Sequence, residues 1–355
     1  MKIALWGYYG PNYGDNIMLK VIIDYFNNKH IEVEIIDLFG IKGSNTLHTD
    51  SKITKFKEFN KVKKLYELYR LSNKDTINIW GGGTIFTDCD GDGNFKFFKL
   101  IKLFGGKFSY LGIGIGKLTI KERIEKAIYL LSKCEFAIFR DSSSLKKAND
   151  LSSNENYYLA EDLSYIYFNE FKIKKVKYDE YVLITWRNLI RYMDKEQEKK
   201  LMNDVVNACS KLCNELNIKN IVLSALDENY DIEGCNVISK MFNDNFNIQI
   251  DLDNNIDNIT NLICNAKFHF SGRLHGCIAS EYFNVPTYGM SYSPKMRYFY
   301  ESISSNDYFD IYEEKVNYKK IKAIINSKKR YSKSRLLIKS TENFDFLSKL
   351  LNNVL

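Results

Sequence analysis

Short apolar runs rich in Ile, Val, Phe and Tyr alternate along this chain with longer stretches whose apolar positions recur at helical spacing. That alternation predicts parallel sheets flanked by helices, an α/β fold. In the first half, strands are expected near 2–6, 32–37, 76–80, 107–112, 135–139 and 156–160. Helices are expected near 16–29, 55–71, 94–104, 119–133 and 141–150. The segment Tyr167 to Asp179 is charged and aperiodic, and reads as a linker. The pattern then restarts, with strands near 180–186, 219–224, 247–250, 267–270 and 286–289. Its helices fall near 194–216, 231–244, 256–265, 276–283 and 317–327. A last helix, about 331–352, carries Leu336, Leu337, Phe344, Leu347, Leu350 and Leu351 as its apolar set. The expected architecture is two Rossmann-like domains facing a central cleft, residues 1–168 and 178–325. A C-terminal helical segment, 326–355, packs back across them.

Composition narrows the function. The 355 residues are 45% hydrophobic, enough for two cores. A net charge of +7 suits anionic substrates or an acidic membrane surface without demanding nucleic acid. No lysine- and arginine-rich block with interleaved aromatics marks a nucleic-acid groove, and the basic stretch Lys328 to Arg335 reads as a solvated helix face. The seven cysteines are dispersed and form no CxxC, so no zinc ribbon or redox dithiol is expected and the thiols should be reduced. The N-terminal apolar run is too short for a signal peptide, and nothing approaches the length of a membrane span. A cytoplasmic location is expected, with peripheral contact at the inner face of the membrane left open.

The chemistry concentrates in Ser271-Gly272-Arg273-Leu274-His275-Gly276 and, a little downstream, Tyr292-Ser293-Pro294-Lys295. One imidazole, in a chain with four histidines, and two cations follow two expected strand ends. In an open α/β sheet ligands bind at the carboxyl ends of the strands. Such a group suits an anion plus proton transfer. A structural ion pair at Arg273, a solvated Lys295 and a satisfied half-buried His275 are the alternatives.

Other strand ends add candidates. Gly7 to Asn16 joins the first strand to the first helix without the G-x-G-x-x-G spacing of a dinucleotide site, and offers Gly10, Asn12 and Asp15. Asp15 reads either as a helix cap or as a carboxylate facing a substrate hydroxyl. Gly81-Gly82-Gly83 suggests a backbone amide nest for an anion. Asp88, Asp90 and Asp92 resemble the start of a calcium loop, but Lys99 stands where the closing Glu is needed. Gly112 to Lys117 lacks the full phosphate-loop pattern and reads as a strand end lining the cleft. Arg140, before Asp141-Ser142, and Arg187, after Trp186, are further guanidiniums at strand ends. The alternative for the first is a cap by Asp141 or Ser142 with Arg140 pairing locally. No metal cluster is visible.

Taken in order, G-Y-Y-G-x-x-N-x-G-D, the triple glycine with its trailing Asp, L-G-I-G, R-D-x-x-S, and R-L-H-G followed by Y-x-P-K resemble the polysaccharide pyruvyl transferase family. The resemblance runs from Gly7 to Lys295. It implies a fold similar to the two-domain GT-B glycosyltransferases. It also implies transfer of a pyruvyl group from phosphoenolpyruvate to sugar hydroxyls, giving a cyclic ketal on a surface glycan. The matching motifs point to Asp15, Arg140, His275 and Lys295. The family often has Glu where this chain has Asn16, and Pro where it has Lys117. The implied roles are His275 as general acid and Asp15 as acceptor of the hydroxyl proton. Arg140, Arg273 and Lys295 would hold the donor, and Gly10, Asn12, Gly82, Gly83, Arg187 and Ser271 would contact substrate. No cofactor is implied beyond the donor, and the acceptor is expected to be a lipid-linked or nucleotide-linked sugar. The alternatives are a GT-B glycosyltransferase using a nucleotide-sugar, and a non-catalytic glycan-assembly subunit.

Overall fold

The structure, a computed structural model, describes residues 2–40, 51–313, 315–327 and 333–354. Of the basic stretch 328–335, residues 328–332 lie outside that set, as do the first two residues of the helix expected over 331–352. The chain divides into two compact units. Unit 1 comprises Met1–Gly10, Gly14–Glu170 and Lys333–Leu355, and unit 2 comprises Pro11–Tyr13 and Phe171–Ser332.

The sheet of unit 1 contains β1 (Lys2–Trp6), β2 (Glu32–Ile36), β3 (Lys52–Thr54), β4 (Thr76–Gly81), β5 (Thr84–Phe86), β6 (Lys107–Ile115), β7 (Ala137–Phe139) and β8 (Tyr157–Leu159). Its helices are α1 (Tyr13–Asn28), α2 (Lys61–Leu71), α3 (Phe95–Leu103), α4 (Lys121–Lys133), α5 (Ser142–Leu151) and α6 (Ser164–Glu170). The strands run parallel in the order β3-β2-β1-β4-β6-β7-β8, with β5 added alongside β6. The inner strands are buried on both faces and mostly apolar, as a sheet covered on both sides requires. An aromatic core of Trp6, Phe56, Phe98, Phe108 and Tyr110 fills one side. One carboxylate, Glu34, is fully buried there. Burial disfavours its charge, but Arg70, Thr54 and Lys2 outweigh that and bring its pKa down to about 2. It is a satisfied structural ion cluster.

Unit 2 contains β9 (Tyr181–Thr185), α7 (Lys195–Leu216), β10 (Asn220–Ser224), α8 (Ile232–Ser239), β11 (Asn247–Asp251), α9 (Ile256–Asn265), β12 (Phe268–Ser271), α10 (Leu274–Phe283), β13 (Thr287–Ser291), α11 (Pro294–Ser302), β14 (Tyr308–Asp310) and α12 (Tyr318–Asn326). Its sheet is parallel throughout, in the order β11-β10-β9-β12-β13-β14. This is the doubly wound order of a Rossmann domain. Polar residues set its helix starts: Asp194 forms a capping box with Gln197, and Asn255 caps α9. The C-terminal helix α13 (Lys333–Val354) packs on unit 1, where Phe344 stacks on Tyr25 at 4.1 Å and Leu347, Leu350 and Leu351 are buried.

The segment read as a linker from Tyr167 begins inside α6, whose Tyr167 and Phe168 are buried. The three-residue strands β3, β5 and β14 and the helices α6 and α11 went unread, being too short or too polar to show a period.

Candidate active site

In each sheet the strand order reverses at one point, between β1 and β4 in unit 1 and between β9 and β12 in unit 2. Crevices for ligands form at such reversals. The sequence candidates sort onto these strand ends, unit by unit.

In unit 1 the loop after β1 is held by Asn16, whose side chain donates to the Gly10 carbonyl at 2.8 Å and accepts from the Gly10 amide at 2.7 Å. A carboxylate at this position could not make both bonds, which explains why Asn is found there. Asp15 sits in the first turn of α1 rather than at its cap, partly exposed. Its Oδ1 lies 3.1 Å from where a Cβ on Gly83 would stand. Gly82 and Gly83 both have positive φ, +75° and +83°, and a Cβ on Gly82 would meet the Met18 sulfur at 2.5 Å. The amide nest expected here is not open at Gly82, because its N–H donates to the Leu111 carbonyl at 2.8 Å.

Arg140 ends β7 and is buried. Its guanidinium donates to Asp162 Oδ2 at 3.1 Å and to Thr84 Oγ1 at 2.7 Å, and packs against Gly114, where a Cβ would come within 3.2 Å of its Nε. The anion contact expected of Arg140 is thus occupied by Asp162, a partner 22 residues away rather than a local one. Asp141 caps α5 through the Ser144 amide. The neighbouring carboxyl, Glu161, is pushed up to about 7 by burial, with Lys339 opposing and Asp162 reinforcing the shift.

Unit 2 carries the denser group. Arg273 stands at the N-cap position of α10 and is buried. Its Nε and Nη2 fork onto Asp231 at 2.9 and 2.5 Å, and Nη2 lies 3.4 Å from Asp227. Burial opposes its charge, but the two carboxylates outweigh this and raise its pKa. Asn12, from the segment Pro11–Tyr13, donates to Asp227 at 3.3 Å. The free-cation reading of Arg273 therefore gives way to the ion-pair alternative. Ser271 is a second correction. Its hydroxyl is fully buried and donates to the Arg273 carbonyl at 3.1 Å, so it shapes the turn instead of facing a substrate. Gly272 makes the turn possible, since a Cβ there would come within 2.8 Å of the Arg187 amide nitrogen.

His275 lies in the first turn of α10 and is the one residue from Phe268 to Ser280 that is not buried. The other histidine of this region, His269, is buried between Ser280 Oγ at 2.7 Å and Thr185 Oγ1 at 2.9 Å. Burial drives its pKa down to about 3, so it is a neutral core imidazole.

Sequence reasoning missed what these cations surround. Tyr292, at the end of β13, is buried, with the Arg187 guanidinium 4.4 Å from its ring centroid and the Lys295 ammonium 5.4 Å from it. Arg187 also donates to Tyr192 Oη at 3.2 Å, and the rings of Tyr192 and Tyr292 lie 5.0 Å apart. Burial resists ionising the Tyr292 phenol. Lys295, Arg187 and Arg273 outweigh it and bring its pKa below the ordinary tyrosine value. Lys295 stands in the first turn of α11, after Pro294, and the N-cap Ser293 makes no side-chain cap bond. Arg187, Arg273 and Lys295 thus group at the carboxyl ends of β9, β12 and β13, balanced by Asp227 and Asp231. Asp162, Asp227, Asp231 and Tyr292 were not read as site residues. The tyrosine of Y-x-P-K was the one available signal.

Comparison with known proteins agrees with the architecture. The structure of UDP-GlcNAc 2-epimerase from Methanocaldococcus jannaschii superposes with a TM-score of 0.67 at 12% identity, covering 98% of this chain and 100% of that one. An S. aureus MnaA–UDP structure gives 0.68 at 12% identity, over 100% and 98%. Acinetobacter baumannii MurG gives 0.50 at 7%, over 99% and 100%. At such identities the likeness defines the fold, GT-B-like with two parallel-sheet α/β domains. No curated relative matches the chain. The family model for polysaccharide pyruvyl transferases matches residues 12–294, and the chain belongs to that family.

Proposed function

We propose that the protein transfers a pyruvyl group from phosphoenolpyruvate to a pair of hydroxyls on a sugar of a cell-surface polysaccharide precursor. The observation that carries this reading is the grouping of Arg187, Arg273 and Lys295 around Tyr292, with His275 two residues after Arg273 in the first turn of α10. Phosphoenolpyruvate bears a phosphate and a carboxylate, and such a group of cations and helix N-termini suits both.

In this proposal Lys295 and Arg187 hold the donor, while Asp231 and Asp227 fix Arg273 so that the Arg187–Tyr292 face is rigid. His275 delivers a proton to the enol methylene carbon, leaving an oxocarbenium-like centre at C2. A sugar hydroxyl attacks that carbon and gives its proton to a base. The C2–O bond to phosphate breaks with its electron pair, orthophosphate leaves, and the second hydroxyl closes the ketal while releasing its own proton. Tyr292 is proposed as a positioning residue whose phenol shares the field of the three cations.

The test is incubation with phosphoenolpyruvate and a panel of lipid-linked and nucleotide-linked sugars, read by mass and by phosphate release. One acceptor should gain the mass of a pyruvate ketal with one orthophosphate released. Release of a nucleotide from a sugar donor, with no change from phosphoenolpyruvate, would transfer the site to the glycosyltransferase reading.

A further inference from the structure

Helix α2 leaves Val62, Leu65, Tyr66 and Tyr69 at 79, 50, 63 and 66% exposure. Their spacing of three and four residues sets them in one stripe along the helix. The other face of α2, with Leu68 and Leu71, is buried in the unit 1 core. The end of α3 extends the stripe. The Phe104 ring meets Tyr69 edge-on at 5.8 Å, and Leu103 beside it is 75% exposed. Single exposed apolar side chains are ordinary, but a continuous stripe of large ones marks an interaction surface.

The stripe is edged by positive charge. Lys61 and Lys63 flank it on α2, and Lys55 and Lys57 lie just before the helix, Lys55 paired with Glu58 at 3.4 Å. The acid of the helix, Glu67, is held by Arg70 at 2.7 Å. The Lys63 ammonium rests 3.9 Å from the Phe59 ring centroid.

We propose that this face of unit 1 docks on an anionic lipid surface, with α2 lying in the headgroup layer. Val62, Leu65, Tyr66 and Tyr69 would enter the acyl boundary, and the flanking lysines would meet headgroup phosphates. An amphipathic helix with lysines along its polar edge has the composition of an interfacial helix. Tyrosine, with an apolar ring and a polar tip, is suited to that boundary. A second copy of the chain fits this face poorly, because pairing it with itself would set lysine against lysine. No helix among the described residues is long and apolar enough to cross a membrane, so the contact is one of docking on the surface. The inference does not depend on the reaction proposed above.

The test is co-sedimentation of the full chain with vesicles of phosphatidylcholine alone or mixed with phosphatidylglycerol. The chain should bind the phosphatidylglycerol vesicles and be released as salt rises to roughly 0.5 M, where screening is short-ranged. Leu65→Asp with Tyr66→Asp, and separately Lys61→Glu with Lys63→Glu, should each lower the partition coefficient about tenfold or more. Both substitution sets lie on exposed positions and should leave the melting temperature unchanged. Equal partition of the native chain into both vesicle types, or unchanged partition of both variants, would overturn the proposal. So would a concentration-dependent dimer that Leu65→Asp with Tyr66→Asp abolishes, which would give the stripe to a second copy.

Discussion

At the strand ends of unit 1 one buried guanidinium, Arg140, is matched by one buried carboxylate, Asp162. At those of unit 2, Arg273 meets two carboxylates, Asp227 and Asp231, and gathers with Arg187 and Lys295 around a phenol. The first arrangement is charge-balanced and closed by Thr84. In the second, three cations act on one phenol, and His275 stands in the first turn of the helix that Arg273 opens. A balanced buried pair holds a fold together, whereas several cations gathered at neighbouring strand ends suit an anionic substrate.

Four substitutions would break or sharpen this contrast. The largest effect is expected of His275→Gln, which should cut turnover by about 10²–10⁴-fold while donor binding persists. A stable variant with near-normal phosphate release would remove His275 from the mechanism. Next comes Arg273→Ala, which strands Asp231 and Asp227 without their cation and should cost about 3–5 kcal/mol of stability. Chemical denaturation read by fluorescence measures this, and a loss below about 1 kcal/mol would mean the pair is not the anchor described. Glu161→Gln follows. Its carboxyl binds a proton more tightly in the folded state, to about 7, than in the unfolded chain. The native protein should therefore lose stability as pH rises from about 4.5 toward 7, by roughly 1–3 kcal/mol. The Gln variant should lack that decline when melting is followed across the same window. A parallel decline in both proteins would assign the effect elsewhere. The smallest effect on stability is expected of Tyr292→Phe. Absorbance titration should lose one early phenolate transition among the 25 tyrosines, with little change in melting. An unaltered titration curve would show that the cations do not act on this phenol.

Much of the fold was legible because the central strands are buried on both faces and therefore read as apolar runs, as in Ile3 to Trp6 or Val182 to Ile184. What escaped was short or polar. Tyr308–Asp310 spans too few residues to display a period, and Pro294–Ser302 buries only Met296 and Tyr300 behind a start that reads as a turn. In the candidate site, glycines and cations at strand ends stood out because close backbone approach and charge are properties of single residues. Their counterions did not. Asp231 meets Arg273 across 42 residues of chain, and Asp162 meets Arg140 across 22. Such pairings are made by the sheet order, and local spacing carries no trace of them. The roles expected of Ser271 and Gly82 failed for a related reason, since both polar groups are claimed by neighbouring backbone.

The central claim is that the cation group of unit 2 receives the anionic donor. Calorimetric titration of phosphoenolpyruvate into the native chain and into Lys295→Ala tests it most directly. Native protein should bind, and Lys295→Ala should bind about 1.5–3 kcal/mol more weakly through the loss of one charge-assisted contact, with melting unchanged. Equal affinity in the two proteins would contradict the account.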